Sequence, residues 1–518
     1  MNMPDQVQNL ERQPLAGSSR PKWTGLKLGQ LRGLRAMIVG AAREGTALAR
    51  YLVERGATVT LADAKPASAL AKHLAALQGV NVRLALGVQT PDLNDVDVLF
   101  LSPGVPPTAQ VVQQARARGI PLSSEPRMVT QLLAAPIVGI TGSSGKTTTT
   151  ALTGEIYAAA GRCTWVGGNI GFPLIEKMLS ANARFDAEQP DVAVMELSSF
   201  QLELFAPDYQ GAEVEQKRSP ASRAISVQGW SPHIAAITNI TPNHLDRHPS
   251  MQDYVRAKSI ILAYQYSDDW AVLNAEDNWT RTLVTHGQVL QFSLEHPVEA
   301  GAYLDGDRLV SRYDGREREL CKIGEVKLRG RHNLANILTA SCCALAGGVP
   351  CEAIREGATT FTGVAHRQEV VRQLQGVTWV NDSIATTPER AMAALRLFGE
   401  MTGKGPHLVL LAGGRDKHLP WDEWANLVRA QVRAVVAFGE AASIIEAALG
   451  GNASGCSGQN GPALYRVATL DDAVARAAEI AQPEDVVLLS PGGTSFDAFE
   501  DFEARGERFR ELVAALSQ

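Results

Sequence analysis

Three α/β layers in series, each built on a mostly parallel sheet, are the fold class that this sequence predicts. Rossmann-like domains are expected at both ends, with a P-loop ATPase α/β domain between them. Short apolar runs alternate with helix-period patterns along most of the chain, the signature of strands covered by helices. A glycine-bracketed lysine, Lys146, joins one such strand to one such helix. At 518 residues the chain is too long for one core, because domains hold roughly 100–200 residues.

Residues 1–30 are polar, lack the apolar centre of a signal peptide and read as a disordered tail. The first domain is expected at 31–133. Ala36-Met37-Ile38-Val39-Gly40 is a strand, 45–56 its helix and 58–63 the next strand, with a later strand at 96–101 that ends in Ser102-Pro103-Gly104. Gly40-Ala41-Ala42-Arg43-Glu44-Gly45 approximates a dinucleotide-binding turn. Ala42 stands where a glycine would let a pyrophosphate approach the backbone, which weakens a nicotinamide-cofactor reading. Asp63 is positioned to grip a ribose or a base. On these residues alone, a plain strand-to-helix turn is an equal reading.

The central domain is expected at 134–363. Pro136-Ile137-Val138-Gly139-Ile140 reads as a buried strand, and the stretch from Lys146 to Ala160 as a helix stopped by Gly161. Between them runs Thr141-Gly142-Ser143-Ser144-Gly145-Lys146-Thr147-Thr148. Successive backbone N–H groups and a helix N-terminus make an anion cradle, Lys146 can reach the β/γ-phosphates, and the Thr147 hydroxyl can hold Mg²⁺. A nucleoside triphosphate is the expected ligand. Ala193-Val194-Met195-Glu196 puts a carboxylate at the end of another buried strand, where Mg²⁺ needs a hard oxygen. A third strand ends in Asn239-Ile240-Thr241-Pro242-Asn243-His244-Leu245-Asp246, and its polar groups suggest a site. Lys258 follows on a helix and, alone, reads as a solvated charge.

The C-terminal domain is expected at 364–518, with strands near 377–381, 407–412, 433–438 and 485–490. The last ends in Ser490-Pro491-Gly492-Gly493, much as the first domain's strand ends in Ser102-Pro103-Gly104. Open parallel sheets bind ligands beyond the carboxyl ends of their strands, so both ends are candidate sites. Thr387 and Pro388 read as the N-cap and first residue of a helix. Residues 208–229 and 450–462 read as surface insertions.

A net charge of −6 gives no electrostatic case for nucleic acid or an anionic membrane. No apolar stretch approaches the ~18 residues of a membrane span. Six cysteines without Cys-x-x-Cys spacing suit a reducing compartment and argue against disulfides or zinc. A monomeric, cytoplasmic enzyme is the expectation.

As an ordered set, the motifs resemble the Mur ligases of peptidoglycan synthesis. The set comprises the phosphate loop, Gly168-Asn169-Ile170-Gly171, Glu196-Leu197-Ser198-Ser199-Phe200-Gln201-Leu202 and the Asn239-to-Asp246 run. It continues with Gly330-Arg331-His332-Asn333-Leu334-Ala335-Asn336, His366-Arg367, Asn381-Asp382-Ser383, Gly413-Gly414-Arg415-Asp416-Lys417 and Ser490-Pro491. The resemblance, strongest to the glutamate-adding branch, runs from residue 34 to residue 512.

What it implies is an N-terminal domain for a UDP-sugar, a central one for ATP and a C-terminal one for an amino acid. Arg43, Glu44, Asp63 and Gly104 match uridine- and diphosphate-binding positions, with Asn169 and His244 facing the sugar substrate. Gly142, Ser143, Ser144, Gly145, Lys146, Thr147 and Thr148 bind ATP; Asn336, Arg367 and Asp382 handle its adenine, phosphate and ribose. Thr147 and Glu196 hold one Mg²⁺. Lys258 matches a lysine that reacts with CO₂, and its carbamate with His244 holds a second. Thr386, Lys417, Ser495 and Phe502 receive the amino acid.

The implied reaction joins glutamate, D-glutamate first, to UDP-N-acetylmuramoyl-L-alanine through an acyl phosphate. Ile384 stands where many relatives carry lysine, so L-glutamate stays open; Arg415 separately replaces an acidic residue common after the glycine pair. A folate-extending ligase shares the phosphate loop, but Arg43 and Asp63 favour a UDP-sugar. A regulator without catalysis is opposed by Lys146, Glu196, His244 and Lys258.

Overall fold

Nine strands make the central sheet, and their order explains why the polar motifs meet. In space they run Arg316–Lys322, Arg308–Tyr313, Gly301–Asp305, Gln288–Ser293, Trp270–Asn274, Ile234–Ile237, Ile137–Thr141, Val192–Glu196 and Thr164–Gly168. All neighbours pair in parallel except the hairpin-connected pairs at the Arg316–Lys322 edge. The three strands ending in polar motifs, Ile234–Ile237, Ile137–Thr141 and Val192–Glu196, are therefore adjacent, and parallel pairing brings their carboxyl ends to one edge.

The computed structural model describes residues 19–20, 28–170, 173–180, 189–207, 225, 228–243, 247–328, 330–401, 407–417, 419–450 and 461–517. The chain divides into two compact units, Met1–Phe361 and Thr362–Gln518. Ahead of the central sheet, the first unit holds a five-stranded parallel sheet in the order Val82–Leu86, Thr58–Asp63, Arg35–Val39, Val98–Leu101, Leu122–Ser123. One apolar core runs from this sheet into one face of the central sheet, through Leu48, Met128, Ile175, Met195 and Ile237. The second unit is a six-stranded sheet, Glu369–Leu374, Val377–Asn381, Val486–Gly492, Leu408–Gly413, Val432–Phe438, Ala463–Arg466, parallel except at its first pair. Its two middle strands are buried at every position, as expected of strands covered on both faces.

Most expected elements lie where the pattern put them. Thr58–Asp63 and Val377–Asn381 coincide with their expected bounds, the loop helix runs Lys146–Ala159, and Gly161 beyond it adopts φ +75°. The strand expected from Val96 begins at Val98. Asp97 is drawn out of it because its carboxylate takes the Arg35 backbone N–H and guanidinium, at 2.9 to 3.2 Å. Arg20, within the expected tail, is held at Asp269 by two hydrogen bonds and lies over the Trp230 and Tyr266 rings. The segments expected as insertions fall mostly outside the described residues. Among the described residues, no helix is long and apolar enough to cross a membrane.

Candidate functional site

The phosphate loop is built by close backbone contacts that only glycine permits. Gly142 (φ +151°) lies so near the next strand end that an added Cβ would come within 1.9 Å of Thr238 Oγ1. A Cβ on Gly145 (φ +81°) would come within 2.3 Å of Asn336 Oδ1. The Asn239 carbonyl accepts from the Ser143 N–H at 2.9 Å, its side-chain oxygen accepts from the Ser144 N–H at 3.0 Å, and the Thr238 hydroxyl donates to the Ser144 carbonyl at 2.6 Å. Gly145 caps the loop helix, leaving Lys146, Thr147 and Thr148 in its first turn, where backbone N–H groups point at an anion. Lys146 Nζ donates to the Gly142 and Ser143 carbonyls at 2.9 and 3.1 Å, arched over its own loop. Asn336, on the helix Arg331–Ala346, is buried beside that turn and accepts from Thr149 Oγ1 at 3.2 Å.

Glu196 closes the neighbouring strand and is 2 % exposed. Pairing of Gly168 with Glu196 sets Asn169 beside it, and Asn169 Nδ2 donates to Glu196 Oε1 at 2.9 Å. Oε2 is buried without a hydrogen-bond partner, an orphan acceptor of the kind a cation would satisfy. Lys258 arrives from the helix Met251–Ala263 and is 1 % exposed. Its Nζ donates to the Gly142 carbonyl at 2.8 Å and lies 4.6 Å from the centre of the Tyr254 ring. Burial, and then the charge of Lys146, hold its pKa well below that of an ordinary lysine, with Glu196 opposing. Among the described residues it forms no ion pair, so the solvated reading of Lys258 is corrected: the helix face it occupies packs on the sheet. His244 and Asp246 lie outside the described residues. Among the described residues no three His, Cys, Asp or Glu side chains gather as a metal site.

In the first sheet, Gly40 (φ +108°) makes the turn, and a Cβ there would strike Ser102, at the end of the adjacent strand. The helix Arg43–Glu54 follows, its first residue the expected Arg43. Asp63 Oδ2 accepts from the Ala41 N–H at 2.8 Å and Oδ1 from the Lys65 N–H at 2.9 Å, so this carboxylate also shapes the turn. Gly104 lies in the loop beyond Val98–Leu101, whose backbone carbonyls at Pro103 and Val105 accept from the Arg247 guanidinium. Glu44 turns towards the central layer, where Gln201 Nε2 donates to it at 3.1 Å. Nearby Glu125 accepts from the Ile175 N–H at 2.9 Å. Burial pushes both carboxyls well above the usual carboxylate range, and Glu44 adds to the rise at Glu125.

The second unit gathers another group at its strand ends. Asp382 is buried, accepts from Ser490 Oγ at 2.9 Å and from the Gln368 N–H at 3.2 Å, and is pushed by burial up to about 7. Arg367 beside it pulls the other way. The Thr387 hydroxyl caps the helix Pro388–Met401 by accepting from the Arg390 N–H, with Thr386 just ahead. Gly492 N–H donates to the Ala385 carbonyl at 2.9 Å, and Arg415 and Thr494 exchange N–H···O bonds, both at 2.8 Å. These ties bring the loops of Thr386, Lys417 and Ser495 together. Lys417 is exposed at the strand end, and partial desolvation and then Arg390 lower its pKa. Phe502 opens the helix Phe502–Ala515, its ring edge-on to His366.

Four contributors had no role assigned from sequence: Thr238, Tyr254, Arg390 and Arg505. Thr238 and Tyr254 lie within the strand-end and helix stretches that hold Asn239 and Lys258, and Arg390 lies a few residues past Thr387. Arg505 lies three residues beyond Phe502, a spacing that returns to the same face of a helix.

Three family models match the chain in order: the Mur ligase MurD-like N-terminal domain at 34–124, the Mur ligase middle domain at 140–344 and the Mur ligase glutamate ligase domain at 366–493. A UDP-N-acetylmuramoylalanine--D-glutamate ligase of Symbiobacterium thermophilum is 42% identical over 93% of this chain and 98% of its own length. Proteins of the same name from Anaeromyxobacter dehalogenans (38%, over 93% and 98%) and Pelotomaculum thermopropionicum (36%, over 93% and 98%) are similar too. In fold, the chain is similar to the UDP-N-acetylmuramate-alanine ligase of Thermotoga maritima, with a TM-score of 0.55, 17% identity and coverage of 93% and 99%. The MurF of Acinetobacter baumannii gives a TM-score of 0.51 at 19% identity, over 94% and 99%.

Proposed function

The chain belongs to the Mur ligase family, and we propose that it joins D-glutamate to UDP-N-acetylmuramoyl-L-alanine with ATP, in the cytoplasm and as a monomer. One observation carries the reading. The Lys146 loop, the orphan oxygen of Glu196 and the buried amine of Lys258 meet at the carboxyl ends of neighbouring parallel strands. Such a group suits phosphoryl transfer to a carboxylate in a dry site.

The alanyl carboxylate is a poor acyl donor until it takes the γ-phosphoryl group of ATP, giving an acyl phosphate and ADP. The glutamate amine then adds to the acyl carbon, the C–O bond to phosphate breaks, and the nitrogen loses its proton. Backbone N–H groups of the loop and the Lys146 ammonium stabilise the charge on the transferring group. Asn336, Arg367 and Asp382 hold the rest of the nucleotide. Arg43, Glu44, Asp63, Gly104 and Asn169 hold the UDP-sugar, while Thr386, Lys417, Ser495 and Phe502 receive glutamate, with the ammonium matched to its side-chain carboxylate.

The unsatisfied Glu196 oxygen fits a divalent cation, with the Thr147 hydroxyl as a further hard ligand. His244 and a carbamate on Lys258 would hold a second. Bound Mg²⁺ would neutralise the charge that builds on the phosphoryl oxygens. Addition of CO₂ to the Lys258 amine releases a proton and turns a cation into an anion, which reconciles a lysine with a metal site.

Phosphate release tests the reading. It should require ATP, UDP-N-acetylmuramoyl-L-alanine and glutamate together, and Lys146→Ala should lower it at least ~10²-fold, the scale of one transition-state electrostatic contact. Release without the sugar nucleotide, or with a folate as acceptor, would overturn it.

A further inference from the structure

Arg505 is a buried cation that neither the sequence motifs nor the reaction above employs. It is 0 % exposed, in the first turn of the helix Phe502–Ala515. Its guanidinium makes three hydrogen bonds: Nε to Ser383 Oγ at 3.0 Å, Nη2 to the Ser383 carbonyl at 2.9 Å, and Nη1 to the Gly493 carbonyl at 3.1 Å. A third loop presses on it, since a Cβ at Gly414 would come within 2.9 Å of Nη1. Among the described residues no carboxylate lies within ion-pair distance. Burial pulls its pKa down to about 10, and the charge of Asp497 resists this.

A buried guanidinium bonded only to neutral oxygens is costly, and such a group persists where its fixed fork organises what surrounds it. The surroundings here are three loops at adjacent strand ends. The Ser383 loop continues to Thr386, the Gly414 loop to Lys417 and the Gly493 loop to Ser495. The same helix that carries Arg505 presents Phe502, whose carbonyl accepts from Ser383 Oγ at 2.8 Å.

We propose that Arg505 is the positioning residue of the amino-acid pocket, fixing the loops that carry Thr386, Lys417 and Ser495 in the register glutamate requires. This rests on the reading of those residues as the glutamate site. Arg505 touches no substrate; it sets the spacing between groups that do, and displacements near 1 Å at such groups can cost on the order of 10²-fold in rate.

The test compares Arg505→Met, Arg505→Lys and Lys417→Ala in the full-length enzyme. Arg505→Met should raise KM for glutamate roughly 10-fold or more, while KM for the sugar nucleotide stays within about twofold. Arg505→Lys, which keeps the charge but not the fork, should fall between wild type and Met, and it stands in if the Met variant does not fold. Amide hydrogen exchange should quicken at 383–386, 414–417 and 493–497 in either variant, while 408–412 and 486–489 stay protected. Unchanged exchange with unchanged glutamate KM, or an equal rise in every KM, would overturn the proposal. If Lys417→Ala raises the glutamate KM and the Arg505 variants do not, only the positioning role fails. If Lys417→Ala is silent as well, the pocket itself has been misread.

Discussion

Lys258 departs furthest from the ordinary chemistry of its residue type. Its amine is sealed between a backbone carbonyl, a tyrosine ring and another lysine, a setting that disfavours the ammonium. A neutral amine is the form that adds CO₂. Lys258→Ala should be nearly inactive, and small carboxylates such as formate or acetate should restore part of the activity by replacing an anionic metal ligand. Depleting CO₂ from the wild-type enzyme should lower activity, and bicarbonate should return it. Rescue by alkylamines with no response to carboxylates would make Lys258 a plain cation instead. Sequence showed this residue only through its family position, because helix periodicity reveals a buried face but not which polar group it hides. The reverse holds for Gly142 and Gly145, whose need for glycine was legible and whose clashing partners, Thr238 and Asn336, are set by tertiary packing.

Two helices carry a second charge problem. Glu44 lies in the first turn of one and Glu125 in that of another; Gln201 and the Ile175 N–H, both from the central layer, hold one oxygen of each. Their remaining oxygens are buried without partners. Because burial raises both pKa values, the folded chain keeps protons that the unfolded chain gives up above the usual carboxylate range. Stability from this pair is thus fully present at low pH and is lost as pH rises through the folded pKa values. Chemical denaturation from pH 5 to pH 8, as a rough window, should show this fall, and Glu125→Gln should flatten it by up to about 1.4 kcal/mol per pH unit. An identical slope in the variant would mean that the two carboxyls ionise normally. Among whole elements, the parallel strands were legible because double burial leaves unbroken apolar runs, as at Leu408–Gly413. Arg316–Lys322 was not singled out: it is a mostly exposed edge strand whose charges hide its pairing.

At the scale of the molecule, the sequence order of motifs and the spatial order of strands carry the same information. The fold class was readable since each layer repeats a strand–helix grammar, whereas the two-unit division follows from an apolar core shared by the first two sheets. The site was readable in its phosphate loop and strand-end carboxylate, where backbone geometry dictates residue type. Choice of amino acid was less readable, because on the proposed reading it depends on how three loops of the second unit converge around Lys417 and Ser495. A net charge of −6 offers no general attraction for anionic substrates, so these local cations must supply it. The direct measurement is product formation by mass spectrometry, with ATP, UDP-N-acetylmuramoyl-L-alanine and each glutamate enantiomer in separate reactions. A D-glutamate ligase yields the glutamyl product, with matching ADP release, from D-glutamate and little from L-glutamate. Product from L-glutamate alone, or ATP turnover with no glutamyl product from either enantiomer, would contradict the assignment.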